Sequence, residues 1–292
     1  MKNLEYLAAR LALGFFRLLP LGLARALGRG ASALTWFLLA QPRRTALRNL
    51  RLGFPEKDEV WVRRTARATY RQLGSSLGEM LQLPRFDKAW VAKNVRFVGM
   101  EPLEACLAQG RGVIALGSHF GNWELQGGAW ALRGYPTAVV AFPQSNRRAD
   151  ELILKNREST GMKVIYTGHH GTAQLLQHLK RGGVAGILAD QNAGKDGLCL
   201  PFFGRDCSVA KAPAVLARKT GAALIPGFLV REKDGTFTNY ALPEIPISQT
   251  GDVERDIVET TKAWLKVQED FIRRYPDQYF WLHRRWKHYD QQ

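Results

Sequence analysis

The sequence predicts an α/β fold in which a mixed, largely parallel central sheet is flanked by helices, with a helical, membrane-associating region at the N-terminus. From about residue 95 onward, short apolar runs alternate with segments of helical periodicity. This order is typical of a sheet whose faces are covered by the connecting helices. The chain has 292 residues and 46% hydrophobic content, which is enough to bury a substantial core.

Residues 4–40 are rich in Leu, Ala and Phe, but charged residues interrupt the segment, so no uncharged run reaches the roughly 18 residues of a spanning helix. Pro20 divides the segment into two helical stretches. Apolar helices that carry basic residues are typical of the membrane interface. We therefore predict membrane-interacting helices over residues 1–40 and a separate domain over 41–292. Two alternatives are a tilted single span and a pair of helices that only pack on the globular body.

The following segment, residues 43–71, contains nine basic and three acidic residues in a helical pattern. Such a run is typical of a solvated helix face, and next to an apolar anchor it also suits anionic lipid head groups. The whole chain has a formal charge of +16. This charge indicates an anionic partner, which on composition alone is nucleic acid, a membrane surface or an acidic protein.

Six apolar runs are predicted as strands. They are residues 95–98, 112–116, 137–142, 163–166, 184–189 and 223–230. In open sheets of this kind the functional site lies at the carboxyl ends of the strands. No glycine-rich nucleotide motif follows any of the runs, so no cofactor is predicted. The three cysteines lack metal-ligand spacing, and neither a zinc site nor a disulfide framework is predicted.

The octet Gly-Ser-His-Phe-Gly-Asn-Trp-Glu follows the second predicted strand, at residues 117–124. His119 and Glu124 would point about 140° apart on a continuous helix, so they can cooperate only if His119 precedes the first helical turn. Gly121 suits such a break in the backbone. A neutral imidazole can act as a general base, and a carboxylate can fix the ring tautomer. The alternative is a structural histidine.

This octet resembles the signature of the lysophospholipid acyltransferase superfamily, a His followed five residues later by Asp or Glu. Its interior, Phe-Gly-Asn-Trp, is similar to the lipid A biosynthesis acyltransferases, the lauroyl and myristoyl transferases. Four further segments resemble that family: Arg-Asn-Leu and Phe-Pro within residues 48–55, Asp-Gln at 190–191, Pro-Phe-Phe-Gly at 201–204, and Tyr-Pro-Asp-Gln-Tyr-Phe-Trp-Leu-His-Arg-Arg-Trp-Lys at 275–287. The resemblance extends over residues 48–287.

The resemblance implies a catalytic base, His119, oriented by Glu124. It also implies a set of substrate-binding residues, namely Arg157, Asn122, Asp190, Gln191, Phe203 and Gly204. The Arg157 guanidinium suits a phosphate or a developing oxyanion, and backbone N–H groups at the next helix start are further oxyanion donors. On the residues alone, Arg157 also suits a surface salt bridge, Asp190 a helix or turn cap, and Phe203 the core.

The function implied by the resemblance is late, secondary acylation of lipid A without an acyl-enzyme. A fatty acyl chain passes from an acyl carrier protein thioester to a hydroxyl of a lipid A precursor, at the cytoplasmic face of the bacterial inner membrane. The expected partners are acyl carrier protein, an anionic glycolipid or phospholipid acceptor, and the membrane surface, but not nucleic acid. The basic charge of the chain suits both an acidic carrier protein and a phosphorylated lipid.

Two other functions remain compatible with the sequence. The same His and Glu could acylate a glycerophospholipid, a phosphatidylinositol mannoside or an ornithine lipid. A non-enzymatic basic protein could instead bind anionic membranes or nucleic acid, but it would have no use for His119 and Glu124. Where many relatives place Thr after the Phe-Gly loop, residues 208–213 read Ser-Val-Ala-Lys-Ala-Pro, and this departure bears on the identity of the acceptor.

Overall fold

The computed structural model describes residues 2–287. Its helices are α1 (Lys2–Leu18), α2 (Leu21–Leu38), α3 (Ala40–Gly53), α4 (Glu59–Met80), α5 (Lys88–Asn94), α6 (Glu101–Ala108), α7 (Trp123–Arg133), α8 (Arg147–Glu158), α9 (His169–Lys180), α10 (Ala212–Thr220) and α11 (Val253–Arg274). Its strands are β1 (Val95–Val98), β2 (Val113–Gly117), β3 (Thr137–Ala141), β4 (Lys163–Tyr166), β5 (Val184–Leu188), β6 (Leu198–Phe202), β7 (Arg205–Val209), β8 (Ala223–Arg231) and β9 (Phe237–Ala241).

Seven strands form the central sheet in the order β1-β9-β8-β2-β5-β3-β4. Every neighbouring pair in this sheet is parallel except β8 with β9. The predicted mixed, largely parallel sheet flanked by helices is therefore confirmed. The six predicted strands correspond to β1, β2, β3, β4, β5 and β8, with each end within one residue.

Three strands were not predicted. β9 reads Phe-Thr-Asn-Tyr-Ala. Its central polar residues interrupt the apolar run from which a buried strand is predicted, and its burial comes from neighbouring elements. The other two, β6 and β7, form a separate antiparallel hairpin. Its two turn residues, Phe203 and Gly204, have φ values of 51° and 71°. Two consecutive positive φ angles are typical of the tight turns that match the twist of a hairpin.

Helices cover both faces of the sheet, as the alternation along β8 shows. The Phe228 ring stacks on Phe271 of α11, with centroids 4.1 Å apart. The next residue, Leu229, faces the opposite way and packs in a cluster with Leu125 and Ala129 of α7. Side chains alternate between the faces of a strand, so β8 joins two hydrophobic cores.

The N-terminal segment forms α1 and α2, separated at Pro20 as predicted. α2 lies close against α4 because glycines meet at the crossing: a Cβ on Gly28 would lie 2.0 Å from the carbonyl oxygen of Gly74. The solvent-facing surface of α1 and α2 carries exposed large apolar side chains, namely Leu4, Leu7, Leu11, Phe15, Leu18, Leu23, Leu27, Leu34, Phe37 and Leu38. Within residues 2–287, no helix combines the length and apolar character needed to cross a bilayer.

Candidate active site

The site begins where β2 and β5 end side by side. These strands are parallel neighbours, and Gly117 at the end of β2 is paired with Leu188 of β5. His119 and Asp190 each follow their strand by two residues, so the register brings them together. The backbone N–H of His119 donates to Asp190 Oδ2 at 2.9 Å, and His119 Nδ1 lies 2.8 Å from Asp190 Oδ1. One carboxylate thus holds both the backbone and the ring.

This contact sets the protonation of the pair. Burial alone would lower the pKa of His119, but the charge and hydrogen bond of Asp190 outweigh it, and the pKa is raised above its ordinary value. Asp190 is only 2% exposed, and burial would raise its pKa, yet the interaction with His119 holds that pKa below the ordinary value. An ionised Asp190 accepts a hydrogen bond from Nδ1–H, which leaves the lone pair on Nε2. The Gln191 amide nitrogen lies 3.4 Å from Nε2.

Glu124 lies in the first turn of α7, but it is not the hydrogen-bond partner of the histidine ring. Arg157 of α8 donates to both of its oxygens, from Nε at 2.8 Å and from Nη2 at 2.6 Å. The expectation that Glu124 fixes the ring tautomer is therefore corrected, because Nδ1 contacts Asp190 and the Glu124 oxygens are bound by a guanidinium. Glu124 acts on His119 through its charge, which raises the pKa of the ring.

The turn between His119 and α7 has the irregular backbone that the sequence requires. Gly121 has a φ of +57°, and a Cβ there would lie 1.8 Å from the Leu229 carbonyl oxygen. Its N–H donates to the Gln278 carbonyl at 2.8 Å, and its own carbonyl accepts from Ser76 Oγ at 3.0 Å. No other residue fits this position without moving β8, so the turn that presents His119 is fixed from both sides.

Asn122 caps α7 and is buried. Its side chain accepts from the Leu125 N–H at 3.0 Å and donates to Glu79 at 2.7 Å. Glu79 is fully buried between Arg25 of α2, at 2.6 Å, and Arg231 of β8. The expected substrate contact of Asn122 is thus corrected, since only 1% of this residue is exposed and its amide is used within the protein.

Aromatic rings border the imidazole on the open side. The Trp123 ring centroid lies 5.0 Å and the Phe280 centroid 5.9 Å from that of His119. The backbone N–H of Phe280 also donates to the His119 carbonyl at 2.9 Å. Two aromatic rings thus neighbour the imidazole, and the segment 275–287 supplies one of them.

An apolar cavity adjoins Glu124 and Arg157 between α7 and the ends of β2, β3 and β5. Its accessible volume is about 80 Å³. Glycines keep it open: a Cβ on Gly127 would lie 3.1 Å from Met162 Sδ, and one on Gly186 would lie 3.2 Å from Val139 Cγ1. The cavity suits a hydrocarbon chain, because its walls are mostly apolar.

Phe203 and Gly204 are not among the residues that line this cavity, and their place on the substrate side stays a prediction. They form the β6–β7 turn, and the Phe203 ring packs against Phe54 and Trp281 at 5.3 and 5.9 Å. Of the predicted residues, His119, Glu124, Arg157, Asp190 and Gln191 are brought together. Among residues 2–287, no group of three or more His, Cys, Asp or Glu is arranged to hold a metal ion.

Several supporting residues escaped the sequence analysis. Glu79 and Ser76 on α4 hold the His119 turn. Buried Arg285 donates from Nη1 to the Gln191 carbonyl at 2.9 Å and so holds the Asp190–Gln191 segment. Asp190 was predicted as a site residue, but its contact with His119 was not; the signal for that contact is that Asp190 follows the apolar run that pairs with the histidine strand. No signal existed for Glu79, whose partners lie 43 to 152 residues away along the chain.

Comparison with known proteins matches the chain to a protein family. The sequence model of a family described as bacterial lipid A biosynthesis acyltransferase matches residues 4–288. The chain is 29% identical over 272 residues to a lipid A biosynthesis lauroyltransferase of Escherichia coli (strain K12), covering 92% of this chain and 87% of the relative. A lipid A biosynthesis palmitoleoyltransferase of the same strain is 27% identical over 263 residues, covering 89% and 84% of the two chains.

A relative with a different acceptor in its name is also found. A phosphatidylinositol mannoside acyltransferase of Mycolicibacterium smegmatis (strain ATCC 700084 / mc(2)155) is 27% identical over 212 residues, which cover 71% of this chain and 67% of the relative.

Proposed function

This chain belongs to the bacterial lipid A biosynthesis acyltransferase family and is an enzyme that transfers acyl groups; from this premise we propose that it moves a fatty acyl chain from an acyl carrier protein thioester to a hydroxyl group of a lipid A precursor, as a late, secondary acylation. The observation that carries the proposal is the His119–Asp190 pair beside an apolar cavity. The pair supplies a base, and the cavity suits the acyl chain.

In the proposed reaction, His119 Nε2 takes the proton of the acceptor hydroxyl while the oxygen attacks the thioester carbonyl. Asp190 stabilises the imidazolium that forms and keeps the ring in its orientation. The tetrahedral intermediate then breaks its C–S bond, and His119 returns the proton to the departing thiolate. The acceptor oxygen attacks the thioester directly, so the proposal includes no acyl-enzyme.

Two groups of donors border the place where the oxyanion forms. One is the N-terminal turn of α7, whose positive dipole end favours negative charge. The other is the Arg157 guanidinium, whose Nε and Nη2 are held by Glu124. Glu124 acts in this proposal as the residue that positions Arg157 and adds negative charge near His119.

The exposed apolar side chains of α1 support membrane association. Leu4, Leu7, Leu11, Phe15 and Leu18 recur at intervals of three or four residues and are each 48–84% exposed, so they form one outward stripe. We propose that residues 1–40 lie in the interface of the inner membrane, at its cytoplasmic face, and that 41–292 form the acyltransferase domain. The basic surface of the chain would then attract both lipid phosphates and an acidic carrier protein.

A second acceptor class is favoured by one observation. The phosphatidylinositol mannoside acyltransferase relative aligns with 71% of this chain. The same base and cavity would serve a hydroxyl of such a glycolipid, because neither depends on the rest of the acceptor. The non-enzymatic alternative is set aside, since the family transfers acyl groups.

The test is a transfer assay with purified protein in lipid vesicles. Acyl carrier protein and coenzyme A thioesters of the same acid are offered with a lipid A precursor, a phosphatidylinositol mannoside or a lysophospholipid, and products are identified by mass spectrometry. The proposal predicts one added acyl group on the lipid A precursor, with the carrier protein thioester preferred. Acylation of another acceptor alone, or a preference for coenzyme A, would contradict the corresponding part.

A further inference from the structure

The helix that carries Arg157 is fastened by one buried amide. Of the twelve described residues of α8, Asn156 alone is buried, with 2% of its surface exposed. Its Nδ2 donates to the Met80 carbonyl at the end of α4 at 2.7 Å, and its Oδ1 accepts from Arg17 Nη2 of α1 at 3.2 Å. Hydrogen bonds are directional, so an amide that is bound on both sides fixes the orientation of the helix as well as its position.

This hold on Asn156 also determines where Arg157 lies. Consecutive residues of a helix point about 100° apart. Asn156 faces α1 and the end of α4, whereas the Arg157 guanidinium reaches Glu124 of α7. Fixing Asn156 therefore sets the rotation of α8 about its axis, and with it the place of the guanidinium. The proposed transfer uses that guanidinium beside the oxyanion, where a displacement of about 1 Å can cost about 10²-fold in rate.

α1 contacts α8 at both of its ends. At the start of α8, Asn146 caps the helix by accepting from the Ala149 N–H at 3.3 Å, and its Nδ2 donates to Glu5 Oε2 of α1 at 3.0 Å. In the last turn of α8, Asn156 accepts from Arg17. The two contacts occur in the same order along both helices, so α1 and α8 lie side by side and run parallel.

The protein itself buries little of α1. Among residues 3–18, only Leu13 is buried, and the outward stripe described above is exposed. A helix of 17 residues gains most of its stability in a protein from burial of an apolar face. A membrane that covers the outward stripe would supply this burial and hold α1 in its place against α8.

We propose that Asn156 is a positioning residue through which α1, seated on a membrane, fixes Arg157 for acyl transfer. The inference rests on the proposed function, which assigns Arg157 to the oxyanion and α1 to the membrane interface. It gives a role to the Arg17–Asn156 contact, which the geometry around His119 does not use. Membrane binding thereby raises turnover, because the seated α1 holds α8 and α8 presents Arg157.

The first test is hydrogen exchange of backbone amides in the full-length protein, with and without vesicles of phosphatidylethanolamine and phosphatidylglycerol. Arg17→Gln removes the contact with Asn156 by a change at an exposed position. Arg10→Gln is the matched control, because it removes the same charge from another exposed position on α1. Exchange is compared in α1 and in residues 153–158 of α8.

Vesicles should slow exchange in both segments of the natural protein and of Arg10→Gln, by about tenfold or more, since local opening becomes less favourable. In Arg17→Gln they should slow exchange in α1 but not in residues 153–158. Two results would overturn the coupling: no protection of residues 153–158 in the natural protein, or equal protection of that segment in Arg17→Gln.

The second test is acyl transfer in the same vesicles. We expect kcat to fall about tenfold in Arg17→Gln and about 10²-fold in Asn156→Leu, while KM for donor and acceptor stays within about twofold. Both changes break one contact, so the double variant should lose less than the two single effects combined. Arg10→Gln should keep the kcat of the natural protein. Thermal unfolding verifies each fold, and Arg17→Gln decides the question if Asn156→Leu does not fold.

Flotation with vesicles separates the proposed role from a loss of membrane binding. Arg17→Gln and Arg10→Gln should bind equally, and weaker binding of Arg17→Gln alone would show that Arg17 contacts lipid instead. Equal kcat in these two variants would also overturn the proposal. A natural protein inactive with every acceptor would refute the proposed function and the role of Asn156 in transfer, whereas an active protein without vesicle-dependent protection of α8 would refute only the coupling.

Discussion

At the residue scale, the two carboxylates near His119 bind different partners. Asp190 is buried and binds the ring at Nδ1, whereas Glu124 binds the guanidinium of Arg157. The sequence analysis expected Glu124 to contact the ring and Asp190 to contact substrate, whereas in the structure the ring contacts Asp190. The actual partner comes from the neighbouring strand, and only the order of strands in the sheet reveals it.

The raised pKa of His119 gives a test of this arrangement through pH. The base must be neutral, so kcat/KM should rise with pH until it passes the pKa of His119, which lies above the ordinary value of about 6.5. In Asp190→Asn the stabilising charge is absent, so this acid limb should move to lower pH. We also expect kcat to fall about 10²–10⁴-fold, because the ring loses its fixed tautomer.

The measurement is a pH profile of kcat/KM for the natural protein and for the variant. Asp256→Asn serves as the control, since this buried carboxylate pairs with Arg218 away from the site. An acid limb at the same pH in Asp190→Asn as in the natural protein would show that Asp190 does not set the pKa of the base.

At the element scale, the six predicted strands were predictable because each reads as a short, largely apolar run. The hairpin β6–β7 and strand β9 were not, since their burial depends on distant aromatic residues and on neighbouring strands. The Phe203–Gly204 turn illustrates the limit. Its φ angles show a tight turn, and the Phe203 ring packs against Trp281, neither of which a local apolar pattern reveals.

The apolar cavity between α7 and the sheet should limit the length of the acyl chain. Val139→Phe on β3 would fill space that Gly127 and Gly186 leave open. Each buried methylene contributes about 0.8 kcal/mol, so losing room for two methylenes should lower the preference for a longer donor about tenfold. The measurement is kcat/KM for a series of saturated acyl thioesters.

Val215→Phe on α10 is the control for this substitution, because Val215 is 36% exposed and outside the cavity. Thermal unfolding separates a change in selectivity from overpacking, which typically costs about 1–3 kcal/mol. A Val139→Phe enzyme with unchanged chain-length preference would mean that the acyl chain does not enter this cavity.

At the scale of the whole molecule, α2 is tied to the His119 turn by buried charged side chains. Arg25 of α2 and Arg231 of β8 meet at Glu79, which also accepts from Asn122 beside the His119 turn. Composition indicated a basic protein with an apolar N-terminus, but not this connection. The distances between these residues in sequence are too large for any local pattern to reveal it.

The outward stripe of α1 should bind membranes through burial of leucine side chains. Replacing Leu4, Leu11 and Leu18 by Glu should weaken binding to anionic vesicles at least about hundredfold, since each buried leucine contributes about 1.5–3 kcal/mol. Flotation with vesicles measures the bound fraction. Because these residues are 63–84% exposed, thermal stability should change little.

The matched control replaces exposed apolar residues elsewhere, Val60 on α4 and Val253 on α11, by Glu. Vesicle binding of the α1 variant equal to that of the natural protein would contradict the proposed interfacial position of the N-terminal region.

The central claim is that His119 is the base for direct acyl transfer to a lipid hydroxyl. The most direct measurement is the transfer rate of His119→Ala in vesicles, with and without added imidazole, alongside thioester binding and thermal unfolding. We predict a fall in kcat of at least about 10²-fold, partial recovery with imidazole, and unchanged donor binding and fold. A His119→Ala protein that transfers acyl chains at the rate of the natural protein would contradict the account.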